Sequence, residues 1–286
     1  MLTCIDQFRP FLCGKQGRIH VTGGEPLLHP DIWKLLPRLR QEFAVALLTN
    51  GTLIDEVAAR KLADLDLRYV QVSLDGGEQI HDSIRGPGNY QKVLQGVRHL
   101  VTAGVRVYVS FTAHRLNYQD LKIVAETARD MGVFKVRVER MVPIGNGSNL
   151  HILQPAEVQE MMELMNTLPI SMERSLQFLY GGTPYRCKAG RSLIALLPDG
   201  AVVPCRRLPI VSGNLKEDSL LAIYNSALFK RLREDVCAGC RGCPHLEVCN
   251  GGLRCQAYAV TGDPFQPDPG CWLRTITCGE AAISQR

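Results

Sequence analysis

From residue 18 to about residue 138, short β-branched runs alternate with stretches whose apolar residues recur at helical spacing. The runs predict strands over residues 18–22, 44–48, 68–73, 105–112 and 133–138. Between them, Ile54, Val57, Ala58, Leu62 and Leu65, and again Leu121, Val124, Ala125, Ala128 and Met131, fall on one side of a 3.6-residue period. Strand, helix, strand, helix implies parallel pairing through right-handed crossovers. The predicted fold class is therefore α/β, with a βα-repeat domain at the front of the chain.

Polar or glycine-rich segments follow the predicted strands: Thr22-Gly-Gly-Glu-Pro26, Thr49-Asn-Gly51, Ser73-Leu-Asp-Gly-Gly77 and Pro143-Ile-Gly-Asn-Gly147. Parallel α/β folds bind ligands at the carboxyl ends of their strands, so these loops are expected to line one mouth. Residues 155–168 read as a helix in which Met161, Met162, Leu164 and Met165 fill a core. Further on, residues 192–205 read as two short strands around Asp199-Gly200, and residues 220–233 as one helix. From residue 236 the chain is too rich in cysteine, glycine and proline to build a core of its own.

Composition changes this picture little: 45% hydrophobic and 21% charged residues suit an ordinary globular protein of 286 residues. A net charge of +5 without a basic, aromatic-laced run gives no sign of nucleic-acid binding. No apolar stretch approaches the roughly twenty residues of a membrane span, and the N-terminus lacks a secretory core, so no membrane association and a cytoplasmic location are expected. The cysteines alter the picture more. Nine of the eleven lie between Cys187 and Cys278, spaced Cys187-x17-Cys205 and Cys237-x2-Cys240-x2-Cys243-x5-Cys249-x5-Cys255-x15-Cys271. A reducing compartment argues against disulfides and for metal. Zinc competes for Cys-x2-Cys pairs, but one dense run fed by distant single cysteines favours iron-sulfur ligation.

Cys187 with Gly200 and Cys205, then Cys240, Cys243, Cys249, Cys255 and Cys271, resemble the seven-cysteine SPASM domain appended to many radical S-adenosylmethionine (AdoMet) enzymes. Gly23-Gly-Glu-Pro26 after a strand resembles the loop of the radical SAM partial barrel that receives the cofactor's amino group. The resemblance implies residues 1–150 as a partial (βα) barrel, 151–183 as a connecting segment and 184–286 as a small iron-sulfur domain. It implies two auxiliary 4Fe-4S clusters, with Cys187, Cys205 and Cys255 on the first and Cys240, Cys243, Cys249 and Cys271 on the second. The family pattern has three residues between its fifth and sixth cysteines where this chain has five, between Cys249 and Cys255. Cys237 and Cys278 are read as free thiols and His245 as a surface histidine. AdoMet is expected on Gly23, Gly24, Glu25, Pro26, Asn50, Ser73, Asp75 and Arg85, hydroxyls and carboxylates suiting ribose and Arg85 offering a fork for a carboxylate.

One part of the family pattern is missing. No Cys-x3-Cys-x2-Cys, the motif that holds the radical-generating cluster, occurs in these residues, and Cys4 and Cys13 do not supply it. The barrel is accordingly expected to lack its first strand, with residues 1–16 the remainder of the first crossover helix, as in an N-terminally truncated maturase. The implied activity is radical modification of a peptide, a protein or a small-molecule cofactor precursor, served by an electron donor such as a flavodoxin or ferredoxin. The alternative is a catalytically silent iron-sulfur protein, with no AdoMet cleavage by the chain as it stands.

Overall fold

The computed structural model describes residues 5–12, 16–170, 172–173 and 186–273. The chain divides into two compact units: a barrel unit of Gly14–Met141 with Glu160–Arg174, and a cysteine unit of Met1–Cys13, Val142–Gln159 and Ser175–Arg286. Each is assembled from separated stretches, which a linear partition at residues 150 and 183 does not express.

The barrel unit is built on strands β1 (Arg18–Val21), β2 (Ala44–Thr49), β3 (Tyr69–Ser73), β4 (Val107–Ala113), β5 (Lys135–Arg140) and β6 (Met172–Glu173). Spatial order equals chain order and every pair is parallel. Winding in one direction with right-handed crossovers puts the connecting helices on one face, without the reversal of a doubly wound sheet. Those helices are α1 (Ile32–Arg40), α2 (Glu56–Asp64), α3 (Glu78–Arg85), α4 (Asn89–Thr102) and α5 (Leu121–Asp130).

The two sheet faces differ in chemistry. Val45, Leu47, Val70, Val72, Val107, Val109 and Val136 share one face and are essentially inaccessible. The register places His20, Tyr69, Gln71, Ser73, Tyr108, Ser110 and Arg137 on the other. A parallel sheet covered by helices on both sides reads as continuous apolar runs, so this polar face marks the helix-free side.

The five expected strands are all present, with ends shifted by up to two residues. A sixth, β6, was not foreseen, because two residues carry no periodic signal; it pairs through Val136 with Met172 and Arg137 with Glu173. It follows β5 at the opposite edge from β1 and so does not stand in for a strand preceding β1. Helix α6 (Pro155–Thr167) buries Met161, Met162 and Met165 as core.

In the cysteine unit β7 (Ala195–Leu196) and β8 (Val202–Val203) form the expected hairpin, with Gly200 at φ +93° in its turn. The single helix expected over 220–233 is two, α7 (Leu220–Tyr224) and α8 (Ala227–Glu234). Asn225 and Ser226 break it, Ser226 standing extended at the α8 N-cap, a position that suits a hydroxyl residue. The helix expected over residues 1–16 does not continue past Asp6 among the described residues: Arg9–Leu12 form a 3-10 turn, Phe8 and Phe11 pack against Val202, Leu220, Ile223 and Phe229, and the Gln7 side chain accepts from Leu220 N–H at 2.8 Å. Cys4, Cys13 and Cys278 lie outside the described residues.

One close approach fixes the barrel loops. A Cβ on Gly96 in α4 would sit 2.4 Å from the Gly51 carbonyl oxygen, a backbone atom that cannot yield. Gly96→Ala is therefore expected to lower stability by about 1–3 kcal/mol, seen as a reduced urea midpoint, the usual cost of overpacking.

Candidate functional site

Glu25 joins the first two strand-end loops. Its Oε1 accepts from Leu27 N–H (3.1 Å) and the Thr49 hydroxyl (2.7 Å), and its Oε2 from Asn50 N–H (2.7 Å). One carboxylate thereby holds the Gly23-Gly-Glu-Pro26 loop against Thr49-Asn-Gly51. Pro26 is buried and opens a short 3-10 turn, Pro26–Leu28, which aims Glu25 toward β2. Gly23 and Gly24 are exposed, and a Cβ on either would meet nothing within 4 Å. Their backbone is thus open to a ligand that a side chain would obstruct.

Asp75 does the same for the Ser73-Leu-Asp-Gly-Gly77 loop and the end of β4. Oδ1 accepts from Thr112 N–H (2.8 Å), and Oδ2 from Arg85 Nε (2.7 Å) and Nη2 (2.6 Å). Asn117 donates to the carbonyls of Asp75 and Thr112 and accepts from His114 N–H, closing a buried network. Asp75 is buried and both oxygens have protein partners, so it positions Arg85 and β4. Asn50 uses Oδ1 to hold Thr52, and Ser73 stands half-buried at the end of β3.

The sequence-based list omitted the polar sheet face. Arg137 Nη1 donates to the Tyr69 hydroxyl (2.8 Å) and Gln71 Oε1 (3.3 Å), and its guanidinium lies 4.9 and 5.0 Å over the Tyr69 and Tyr108 rings. Those rings stack at 4.2 Å, and His20 Nε2 is 2.9 Å from the Tyr69 hydroxyl. Burial raises the Tyr69 pKa, with Arg137 pulling the other way, so the phenol stays protonated and available to donate. The alternation in Lys135-Val-Arg-Val-Glu-Arg140, with polar residues at every second position of a parallel strand, was the available signal.

In the cysteine unit, Cys205 and Cys255 are buried in one apolar cluster with Ala189, Leu208, Leu232 and Leu253, and Cys187 packs on it. The three residues expected on a first cluster therefore share one apolar cluster. Leu253, the fourth residue after Cys249, stands where the family spacing puts a cysteine and occupies the same cluster.

A second group gathers around Cys240. Burial, a hydrogen bond with Cys237, and the proximity of Cys237, Cys249 and Cys271 push the Cys240 thiol up to about 12. Cys249 is pushed up to about 11 by burial, then by Cys271 and Asp268, against N–H donation from Gly252 and Gly251. Cys243 is half-buried and is not among the thiols acting on either. Among the described residues no three His, Cys, Asp or Glu side chains close on a point as they would around one metal ion. A four-iron cube takes its thiolates at separate corners, and a wider ring of half-buried thiols is compatible with it.

Family models match the radical SAM superfamily over residues 6–131 and the SPASM iron-sulfur cluster-binding domain over residues 187–244. The chain is 30% identical to the mycofactocin maturase MftC of Mycobacterium tuberculosis, covering 88% of this chain and 70% of that one. The chain belongs to the radical SAM superfamily. Other relatives are an AdoMet-dependent heme synthase of Methanosarcina barkeri (27% identical, 89% and 82% covered) and a PqqA peptide cyclase of Granulibacter bethesdensis (28%, 90% and 74%). Streptococcus suis SuiB bound to S-adenosylmethionine superposes with a TM-score of 0.73 at 16% identity, over 94% of this chain and 68% of that one, a likeness of fold. The cofactors these two domains imply are 4Fe-4S clusters and AdoMet. Among the described residues no helix is long and apolar enough to cross a membrane.

The loop network has a pH signature. His81 Nδ1 accepts from Asp75 N–H and His114 Nδ1 from Leu116 N–H, and both Nε2 atoms are buried without a partner among the described residues. Burial lowers both pKa values, partly offset by Asp75. The unfolded chain binds protons near the free value of about 6.5 while the folded one does not, so stability is full above that pH and falls below it. The urea midpoint should drop between pH 7.5 and 5.5, and the double variant His81→Asn, His114→Asn should show a shallower drop.

Proposed function

We propose that this chain is a radical SAM/SPASM maturase-type protein that binds AdoMet on its barrel loops and two auxiliary 4Fe-4S clusters in its cysteine unit. Its substrate class is a peptide, a protein or a small biosynthetic precursor. The observation that carries the reading is the Glu25 latch, which holds an open Gly23-Gly24 backbone beside Asn50 at the carboxyl ends of β1 and β2. The named relatives support the substrate class: one cyclises a peptide and another makes heme.

In this reading the Gly23 and Gly24 carbonyls accept from the cofactor's ammonium group. Asn50 and Ser73 offer polar groups to its ribose and carboxylate, and Arg85, oriented by Asp75, faces a carboxylate. Cys187, Cys205 and Cys255 hold one auxiliary cluster, and Cys240, Cys243, Cys249 and Cys271 the other. AdoMet would supply radical chemistry when bound and reduced by one electron from a radical-generating cluster, and the auxiliary clusters would supply electron transfer or a substrate ligand. The helix-free face of the sheet, with Tyr69, Tyr108 and Arg137, orients the substrate, and a small carrier such as a flavodoxin or ferredoxin delivers electrons. No Cys-x3-Cys-x2-Cys occurs in the sequence, so the proposed roles for these residues are binding and orientation.

Because nothing lies near its Cβ direction, Gly23→Val should fold as stably as the wild type while filling the cradle. Titration calorimetry is expected to show AdoMet binding to the wild type and at least tenfold weaker binding, about 1.4 kcal/mol, to the variant. Equal affinity would place the cofactor elsewhere.

A further inference from the structure

Arg254 is a buried cation without an acidic partner. It opens α10 (Arg254–Thr261), which follows α9 (Leu246–Cys249) across the loop Asn250-Gly-Gly-Leu253, and it is 3% exposed. Arginine cannot shed its charge in a protein, and a fully buried one is ordinarily paired. Among the described residues no carboxylate lies within ion-pair distance of this one. Its place adds to the cost, because the first position of a helix faces the positive end of the helix dipole.

The compensation within the chain is partial. Arg254 Nη1 donates to the Pro264 carbonyl (3.2 Å), and the guanidinium lies 5.4 Å from the centre of the Phe265 ring. Carbonyl and ring offer partial charge only. That ring already carries Arg231 at 3.8 Å, an exposed arginine paired with Asp235 (2.9 Å). The two acids nearby in the chain are engaged elsewhere. Asp263 accepts from Phe265 N–H and Gln266 Nε2, and buried Asp268 accepts from the Leu253 and Gly270 N–H groups.

We propose that Arg254 is the counter-charge of the auxiliary clusters and raises the potential at which they accept an electron. The inference rests on the cluster reading above. A four-iron cluster with its thiolates is a net anion, and reduction by one electron adds a further negative charge with no bond formed or broken. A buried cation beside it therefore stabilises the reduced form more than the oxidised one. Arg254 stands between two ligand segments: Cys255 is the next residue, and Gly251 lies two residues after Cys249. A Cβ added to Gly251 would sit 3.8 Å from Arg254 Nη1 and 2.8 Å from Cys237 Sγ, so the guanidinium and the start of the cysteine run are separated by a single glycine. The separation is held fixed. Asn250 Oδ1 accepts from Cys237 N–H (2.9 Å), Asn250 Nδ2 donates to the Asp235 carbonyl (3.0 Å), and Asp268 N–H donates to the Gly251 carbonyl (2.9 Å).

The test compares the anaerobically reconstituted full chain with Arg254→Met, Arg254→Lys and Arg231→Met. Iron and sulfide are counted, circular dichroism checks folding, and a dithionite titration followed by electron paramagnetic resonance gives the auxiliary midpoint potentials. Arg254→Met is expected to hold its clusters and to move at least one midpoint negative by at least about 59 mV, a tenfold fall in the reduced-to-oxidised ratio at fixed potential. Arg254→Lys should keep most of the wild-type value, and Arg231→Met, which removes the exposed guanidinium from the same ring, all of it. An unchanged midpoint in Arg254→Met, or an equal shift in Arg254→Lys or Arg231→Met, overturns the proposal. If Arg254→Met takes up no cluster, wild-type iron in Arg254→Lys supports a role for the charge, and loss of iron from both overturns it. A wild type that takes up no iron overturns the cluster reading itself, and the inference with it.

Discussion

Buried thiols that crowd one another have two stable conditions: each keeps its proton, or a cation shared among them replaces the protons. The cysteine unit is arranged around that constraint. Cys240 and Cys249 are raised to about 12 and 11 by burial and by neighbouring sulfur, so at neutral pH these two are thiols when no metal is bound. Iron inverts the balance, because a metal deprotonates its thiol ligands and neutralises the charge that burial disfavours. The surrounding loop has little apolar material of its own, and its order comes from two buried polar side chains, Asn250 and Asp268, whose bonds are almost all to backbone. Two consecutive glycines at positive φ, Gly251 and Gly252, leave room for those side chains and for the sulfur beside them.

The barrel unit solves a different problem by similar means. Its strand ends are glycine-rich and would be loose without cross-links, and two carboxylates provide them. Glu25 spans the first and second loops, and Asp75 spans the third loop and the end of β4. One-way winding leaves the second face of the sheet without helices, and that face is polar. A surface carrying Arg137 stacked over Tyr69 and Tyr108 is costly to bury against apolar helices and well suited to a polar ligand. Loops and face together give an open glycine backbone beside an oriented polar floor.

Much of this was legible in the sequence, for reasons that differ by element. Strands β1 to β5 announce themselves because each is a β-branched run between turn residues, and Gly23-Gly-Glu-Pro26 because glycine and proline have few interchangeable roles. β6 was not legible, since two residues join the sheet through pairing with β5 and not through local preference. The break between α7 and α8 falls at Asn225-Ser226, where Ser226 turns extended, and the continuous apolar spacing of Leu220, Ile223, Phe229 and Leu232 hides it. The surroundings of Cys237 were not legible, since they are made by residues thirteen and fourteen positions away, at Asn250 and Gly251. Asp75 was legible as chemistry but not as geometry: nothing local shows that Thr112 and Arg85 occupy its oxygens.

The central claim is that the cysteine unit holds two four-iron centres at separate thiol groups. Anomalous diffraction at the iron edge from crystals of the anaerobically reconstituted protein tests it directly. The account predicts two iron peaks, one beside Cys187, Cys205 and Cys255 and the other beside Cys240, Cys249 and Cys271. A single-ion peak at the zinc edge in either place, with no iron there, would contradict it.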